Sequence, residues 1–201
     1  MSSFAILQNI SLELRRQIFE ALQATPDADF QVTNMTRDIV FDPPPDAAPG
    51  PPVLSIFLYH IEPDAHLRNQ RTLTPTPDQL RYPPLALQLY YLITPLDESQ
   101  ERNQLLLGRI LQFFHDTPIL TALDGTPLDN SFGGNSPELR VSLETLTVEE
   151  LTRVWNALQS TYQLSVAYKV RVVTVDSLQP ESAAHRVAET HTVVGAKERG
   201  G

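Results

Sequence analysis

The sequence predicts an α+β (α/β-layered) single domain in which helices flank a mixed, mostly antiparallel sheet. Three observations carry that expectation. The segments VLSIFLYHIE at 53–62 and LALQLYYLIT at 85–94 are apolar on both alternating faces, as strands covered on two sides must be. Segments with helical periodicity stand before and after them, giving the element order α, β, β, β, α, β, α, β. At 201 residues the chain also has enough material for one self-sufficient core, since a domain of about 150 residues buries about 70% of its unfolded surface.

Taken in order, Phe4, Leu7, Ile10, Leu14, Ile18 and Leu22 recur at helical spacing, with Ser2 and Ser3 as N-cap candidates and Pro26 as the stop. The next segment, FQVTNMTRDIVF, is rich in β-branched and aromatic residues and predicts a strand. It runs into Asp42 to Pro52, where six of eleven residues are proline. Proline donates nothing to a ladder, so this stretch is expected as an exposed loop. Between the two apolar strands lies EPDAHLRNQRTLTPTPDQLRYPP, a polar connection of more than 20 residues. Compact domains keep connections of that length mainly where they bind something.

After Pro95, Leu107, Ile110, Leu111 and Phe114 form a second helical stripe, with acids early and His115 in the last turn, as the helix dipole favours. A loop, DGTPLDNSFGGNSP, then leads to LRVSLE, where Leu139, Val141 and Leu143 alternate with Arg140, Ser142 and Glu144 as in a half-exposed strand. Thr147 and Glu150 have the spacing of a capping box and open a short helix with the stripe Leu151, Val154, Trp155 and Leu158. In LSVAYKVRVVTV, Leu164, Val166, Tyr168, Val170 and Val172 are expected on one face and Ser165, Lys169 and Arg171 on the other. From Ser177 the chain lacks aromatics and strong periodicity, which divides it into a folded domain, 1–176, and a flexible C-terminal arm, 177–201.

Composition narrows the function. Twenty-four acids against 15 bases give a net charge of −9, which repels a phosphate backbone and argues against nucleic acid as a partner. The absence of cysteine excludes disulfides, thiolate zinc sites, iron–sulfur clusters and Cys nucleophiles. No apolar run approaches the roughly 18 residues of a membrane span, and the N-terminal residues are not patterned as a signal peptide, so a soluble, cytoplasmic chain without direct membrane insertion is expected.

Candidate chemistry is sparse. Glu62, Asp64 and His66 alternate along one segment and would share its face as metal ligands, which is the basis for an alternative reading as a small metal-dependent hydrolase. Pro63, Arg68 and Arg71 beside them favour an ion-paired loop start instead. His115 with Asp116 fits a helix C-terminus better than a general base, and SFGGNS at 131–136 lacks the Walker lysine. His185 and His191 fall in the expected arm, where a preorganised acid or base is hard to hold. No catalytic residue, cofactor site or metal site is therefore assigned. Trp155 fits a core stripe, with an indole N–H that needs an acceptor. A third reading is a monomeric module that recruits a partner through the proline-rich loop.

The chain resembles the tail-terminator, or cap, proteins of phage-tail-like contractile injection systems, of the extracellular contractile injection system cap, N-terminal domain type. The residues that carry the resemblance are LSIFLYHIEPDAHLRNQ, PPLALQLYYLITPL, LLLGRILQFFHDTPIL and LTVEELTRVWNALQSTYQLSVAYKVRVV. It implies a homo-oligomer, a six-membered ring on the end of tube and sheath away from the baseplate, that ends polymerisation, joins tube to sheath and does no covalent chemistry. Partners so implied are tube and sheath subunits and a second cap-type protein. The particle, assembled in the cytoplasm, would be released or associated with a membrane. Arg68, Asn69 and Arg71 match the pattern in the long loop and are expected to make loop-anchoring or inter-subunit contacts.

Overall fold

The computed structural model describes residues 3–26, 28–47, 53–65, 79–80, 85–123, 126–128, 139–175 and 182–183. Helix α1 (Ile6–Gln23) buries Ile10, Leu14, Ile18 and Leu22, as its stripe predicts. Its start differs from expectation. A 3-10 turn, Ser3–Ala5, leads into the helix, Ala5 holds the N-cap position without a side-chain cap, and Phe4 stays 79% exposed.

The segment expected as a strand is mostly not one. Asn34 accepts from the backbone N–H groups of Thr36 and Arg37 at 3.1 and 3.0 Å and opens the short helix α2 (Met35–Asp38). Asp38 is fully buried and accepts from the amides of Thr33 and Asn34, each at 2.7 Å, and from Arg37 Nε at 2.6 Å. Local side-chain capping thus outcompetes β propensity and leaves only β1 (Ile39–Val40) as strand.

The start of the stretch expected as an exposed loop forms a second 3-10 turn, Pro44–Asp46, with Pro44 buried. The other elements are β2 (Leu54–Pro63), β3 (Gln79–Leu80), β4 (Leu85–Pro95), α3 (Gln100–Asp116), β5 (Ile119–Leu120), β6 (Ala122–Leu123), β7 (Thr126–Pro127), β8 (Leu139–Glu144), α4 (Val148–Ala157), β9 (Val166–Val175) and β10 (Ser182–Ala183). Six strands form one sheet in the order β1-β2-β4-β9-β8-β5, with β1 parallel to β2 and the other pairs antiparallel. The expected α+β class with a mixed, mostly antiparallel sheet is what the chain adopts. A small ladder, Ser182↔Leu80 and Ala183↔Gln79, pairs the segments that follow β9 and precede β4, in the same antiparallel sense as β4 and β9 themselves.

Helices α1 and α3 lie on one face. The core joins Ile10, Leu14 and Ile18 of α1 and Leu106, Ile110 and Phe114 of α3 to Leu87, Leu89, Tyr91 and Ile93, the alternate residues of β4. Polar bonds fix the helix layer in place: the Tyr91 hydroxyl meets Ser11 Oγ at 2.9 Å, and Arg109 Nε, from the middle of α3, donates to Thr25 Oγ1 just past the end of α1 at 2.8 Å.

Two bulges flank β4. Leu58 pairs with Tyr91 and His60 with Tyr90, so Tyr59 is an extra residue in β2. On the other side Val170 pairs with Leu89 and Val173 with Leu87, so residues 171–172 oppose Gln88 alone. The alternation expected in β9 therefore ends at Val170, and Val173 joins it in the core, both at 0% exposure. Three further details depart from the sequence pattern. Leu143 is 53% exposed at the end of β8, and Leu164 is 41% exposed while its neighbour Ser165 is buried. In α4 only Trp155 of the expected stripe is fully buried.

Candidate functional site

The helix layer covers one face of the sheet and leaves the other to a set of polar and aromatic side chains. Residues paired across strands share a face, and the register sets His60, Tyr90, Lys169 and Ser142 in one row across β2, β4, β9 and β8. Their side chains interlock. The His60 and Tyr90 rings lie 5.3 Å apart, Lys169 Nζ sits 5.5 Å over the Tyr90 ring, and the same ammonium pairs with Glu144 at 2.6 Å. Tyr90 donates its hydroxyl to Glu62, and the bulge residue Tyr59 meets Tyr90 edge-on at 6.2 Å.

The electrostatics of this row favour fixed polarity over reactivity. Burial, then the hydrogen bond to Glu62 and the charges of Glu62 and Glu144, push the Tyr90 phenol well above its ordinary value. Burial, with the charges of Glu144 and Glu150, pushes Tyr59 up to about 12. Glu62 is held below the ordinary carboxylate range by the Tyr90 hydrogen bond, against burial and with help from His60. At neutral pH the phenols are donors, the carboxylates are acceptors, and neither phenol is available as a base.

Glu62 and Asp64 are each committed to a protein partner. Glu62 takes the Tyr90 proton donor and has His60 at 3.6 Å, whereas Asp64 is 1% exposed and receives Arg171 Nη2 at 3.4 Å. His66 lies outside the described residues, among which no group of three His, Cys, Asp or Glu side chains converges as a metal site. Arg68, Asn69 and Arg71, the loop at 131–136, His185 and His191 also lie outside the described residues. His115 and Asp116 are exposed at the end of α3.

One end of this second face is closed by α4. Leu92, Thr94 and Ala167 alternate away from the main core yet are buried, Trp155 is 1% exposed without belonging to that core, and the charge of Glu150 reaches Tyr59. The Thr147–Glu150 capping box expected from the sequence starts the helix. Its other end is a Schellman turn: Ser160 N–H donates to Trp155 O at 3.2 Å and Gln159 N–H to Asn156 O at 3.0 Å. Gln159 occupies the left-handed position at φ 53, where glycine is the easier residue. This turn and Tyr162, which meets Trp155 edge-on at 6.2 Å, enclose an open cavity of about 390 Å³. Thr152, Asn156, Gln159 and Thr161 complete its wall. The indole N–H of Trp155, which the sequence marks as needing an acceptor, has none among the described residues.

Neither the row nor the cavity was legible in the sequence, because both depend on cross-strand register. The available signals were the single tryptophan beside Tyr162 and the alternating polar positions of β9.

Among solved structures, the fold is similar to the sheath/tube terminator of PVC, an extracellular contractile injection system, in its extended state. That likeness has a TM-score of 0.51 at 18% identity over 93% of this chain, which spans 64% of the terminator's length. The tube-terminating cap of the anti-feeding prophage is matched at a TM-score of 0.44 and 20% identity, over 70% of this chain and 48% of the cap. No curated protein matches. The family model described as the Pvc16 N-terminal domain matches residues 9–189, and the chain belongs to that family.

Proposed function

We propose that this chain is a structural terminator subunit of a contractile injection particle, sitting on the end of tube and sheath, stopping their growth and joining the two. The family match across residues 9–189 carries this reading, and the fold shared with a sheath/tube terminator supports it. Six copies would form the ring. One face of that ring fits the last layer of tube or sheath subunits, while the other offers no surface on which a further layer can be added. Repetition of one modest contact around the ring gives firm attachment. No bond is made or broken in this mechanism, and the tied-up row on the sheet's second face suits a docking surface better than a reaction centre.

Within the same proposal, Arg68, Asn69 and Arg71 anchor the long loop or bond to a neighbouring subunit, and 177–201 acts as an arm beyond the 1–176 domain. A second cap-type protein completes the end. Assembly takes place in the cytoplasm, before the particle is released or associates with a membrane. Among the described residues no helix is long and apolar enough to cross one. The test is electron microscopy of particles produced without this chain. Sheaths and tubes of uncontrolled length, or particles that fall apart, are expected; particles of uniform normal length that still contract would overturn the proposal.

A further inference from the structure

We infer that Arg15 of one copy of this chain receives Asp116 of the next, so that an ion pair joins the β1 edge of each subunit to the β5 edge of its neighbour. This rests on the reading above that copies associate in a ring. Each partner carries a charge that its own subunit leaves unmatched. Arg16, Arg37, Arg102, Arg153, Lys169 and Arg171 each meet a carboxylate. Arg109 is bonded to Ala21 O, Thr25 Oγ1 and Gln112 Oε1 instead. Arg15 has neither arrangement among the described residues: its guanidinium lies 4.6 Å over the ring of Phe41, and its Nε is buried without an acceptor. Burial pulls the pKa of Arg15 down, the mark of a cation that has lost water and gained no anion. The residue as a whole is part-exposed, so a neighbour's side chain can reach it. An arginine already ordered on an aromatic ring has little freedom left to lose when a carboxylate arrives.

Asp116 is the complementary case. It is the last residue of α3, exposed, and bonded to no side chain among the described residues. An anion there faces the negative pole of the helix, the unfavourable end. His115 beside it relieves this only when protonated. Other exposed acids are placed differently: Asp42 and Asp46 lie on Arg15's own edge, and Glu101 is in the first turn of α3, where the dipole already favours it. Topology then sets the direction of the contact. Phe41 directly follows β1, one edge of the six-stranded sheet, and Asp116 comes shortly before β5, the other edge. The edges stand five strand spacings apart, roughly 24 Å, and Arg15 and Asp116 of one subunit form no ion pair. Opposite charges on opposite edges make a heterologous contact, which repeats around a ring. With a net charge of −9 the copies repel one another in general, and an unmatched cation at one edge gives their approach a single favoured direction.

Charge reversal tests the pair. Arg15→Glu and Asp116→Arg should each weaken association of the full chain at least about tenfold, read by light scattering and by incorporation into particles. The R15E/D116R chain, and an equal mixture of the two single variants, should return to within about threefold of the natural chain, because every contact regains opposite charges. That recovery also shows that the single variants fold. The chain has no cysteine, so a disulfide gives a second readout. A chain with both R15C and D116C, assembled and oxidised, should yield a ladder of linked copies, and either change alone should yield none. Absence of both the recovery and the ladder overturns the inference. Linked dimers from R15C alone do so too, since like edges would then meet. Loss of attachment to the tube end with self-association unchanged assigns Arg15 to a tube or sheath carboxylate and also overturns it. Single variants that associate like the natural chain sink the inference and leave the ring intact. A natural chain that stays monomeric in solution and on the tube end sinks the ring proposal itself, and the pair with it.

Discussion

Leu89 and Tyr90 are neighbours in β4 and live in different surroundings. Leu89 points among α1 and α3 at 0% exposure, in a layer of aliphatic and aromatic side chains. Tyr90 points the other way, into a row of His60, Glu62 and Lys169 that binds itself together by hydrogen bonds and charge. The first face is held by burial, which scales with area and tolerates no void. The second is held by short polar contacts whose net worth is small in water, because each replaces a contact with solvent. The difference teaches that around Tyr90 the second face relies on polar contacts, and that it gains apolar burial only at the end where Leu92, Ala167 and Trp155 lie.

Substitutions at these two adjacent positions test that division most severely. Leu89→Ala should cost about 2–5 kcal/mol, and Tyr90→Phe no more than about 1.5 kcal/mol, by urea denaturation. Similar losses at both positions would break the contrast.

A smaller effect is expected at Asp38, which lies apart from both faces. Burial pushes its carboxyl up, but the Arg37 guanidinium and the amides of Asn34 and Thr33 outweigh it and hold the group below the ordinary carboxylate value of 3.8. Asp97 is likewise held low, by Ser99 N–H and Arg102 against burial. Because the folded values are depressed, their stabilisation is present above the ordinary carboxylate range and lost as pH falls through the folded values. The urea midpoint should therefore drop below about pH 4. Asp38→Asn should cost about 1–3 kcal/mol at pH 7 and flatten that acid slope. An unchanged slope would place the acid sensitivity elsewhere.

The smallest effect belongs to the cap of α4. Thr147→Ala removes the hydroxyl that accepts from Glu150 N–H at 3.2 Å and should cost about 1 kcal/mol. If α4 is secured mainly by Trp155 under it, Trp155 emission should stay that of a buried indole. Emission from an exposed indole would mean that the cap, and not packing, holds this end of the second face.

Much of the helical architecture and of the central strands was legible in the sequence because their signals are local. The stripes of α1 and α3 repeat within each helix, the long apolar runs of β2 and β4 are contiguous, and the Thr147–Glu150 box spans one turn. The errors arose where a neighbour changed the outcome. Asn34 and Asp38 captured backbone amides that the strand reading of FQVTNMTRDIVF left unconsidered, and an extra residue opposite Gln88 brought Val173 into the core. The row from His60 to Ser142 joins residues scattered over four strands, so periodicity within any one strand could not reveal it. Trp155 was placed correctly in the interior, but its cavity depends on the turn that Gln159 makes.

The position of β9 has a mechanical consequence. It runs antiparallel between β4 and β8, and the chain continues from it towards Ser182–Ala183. A pull along the axis of β9 would load the bonds of both adjoining ladders together in shear. The edge strand β1, pulled the same way, has a single two-residue ladder to resist with.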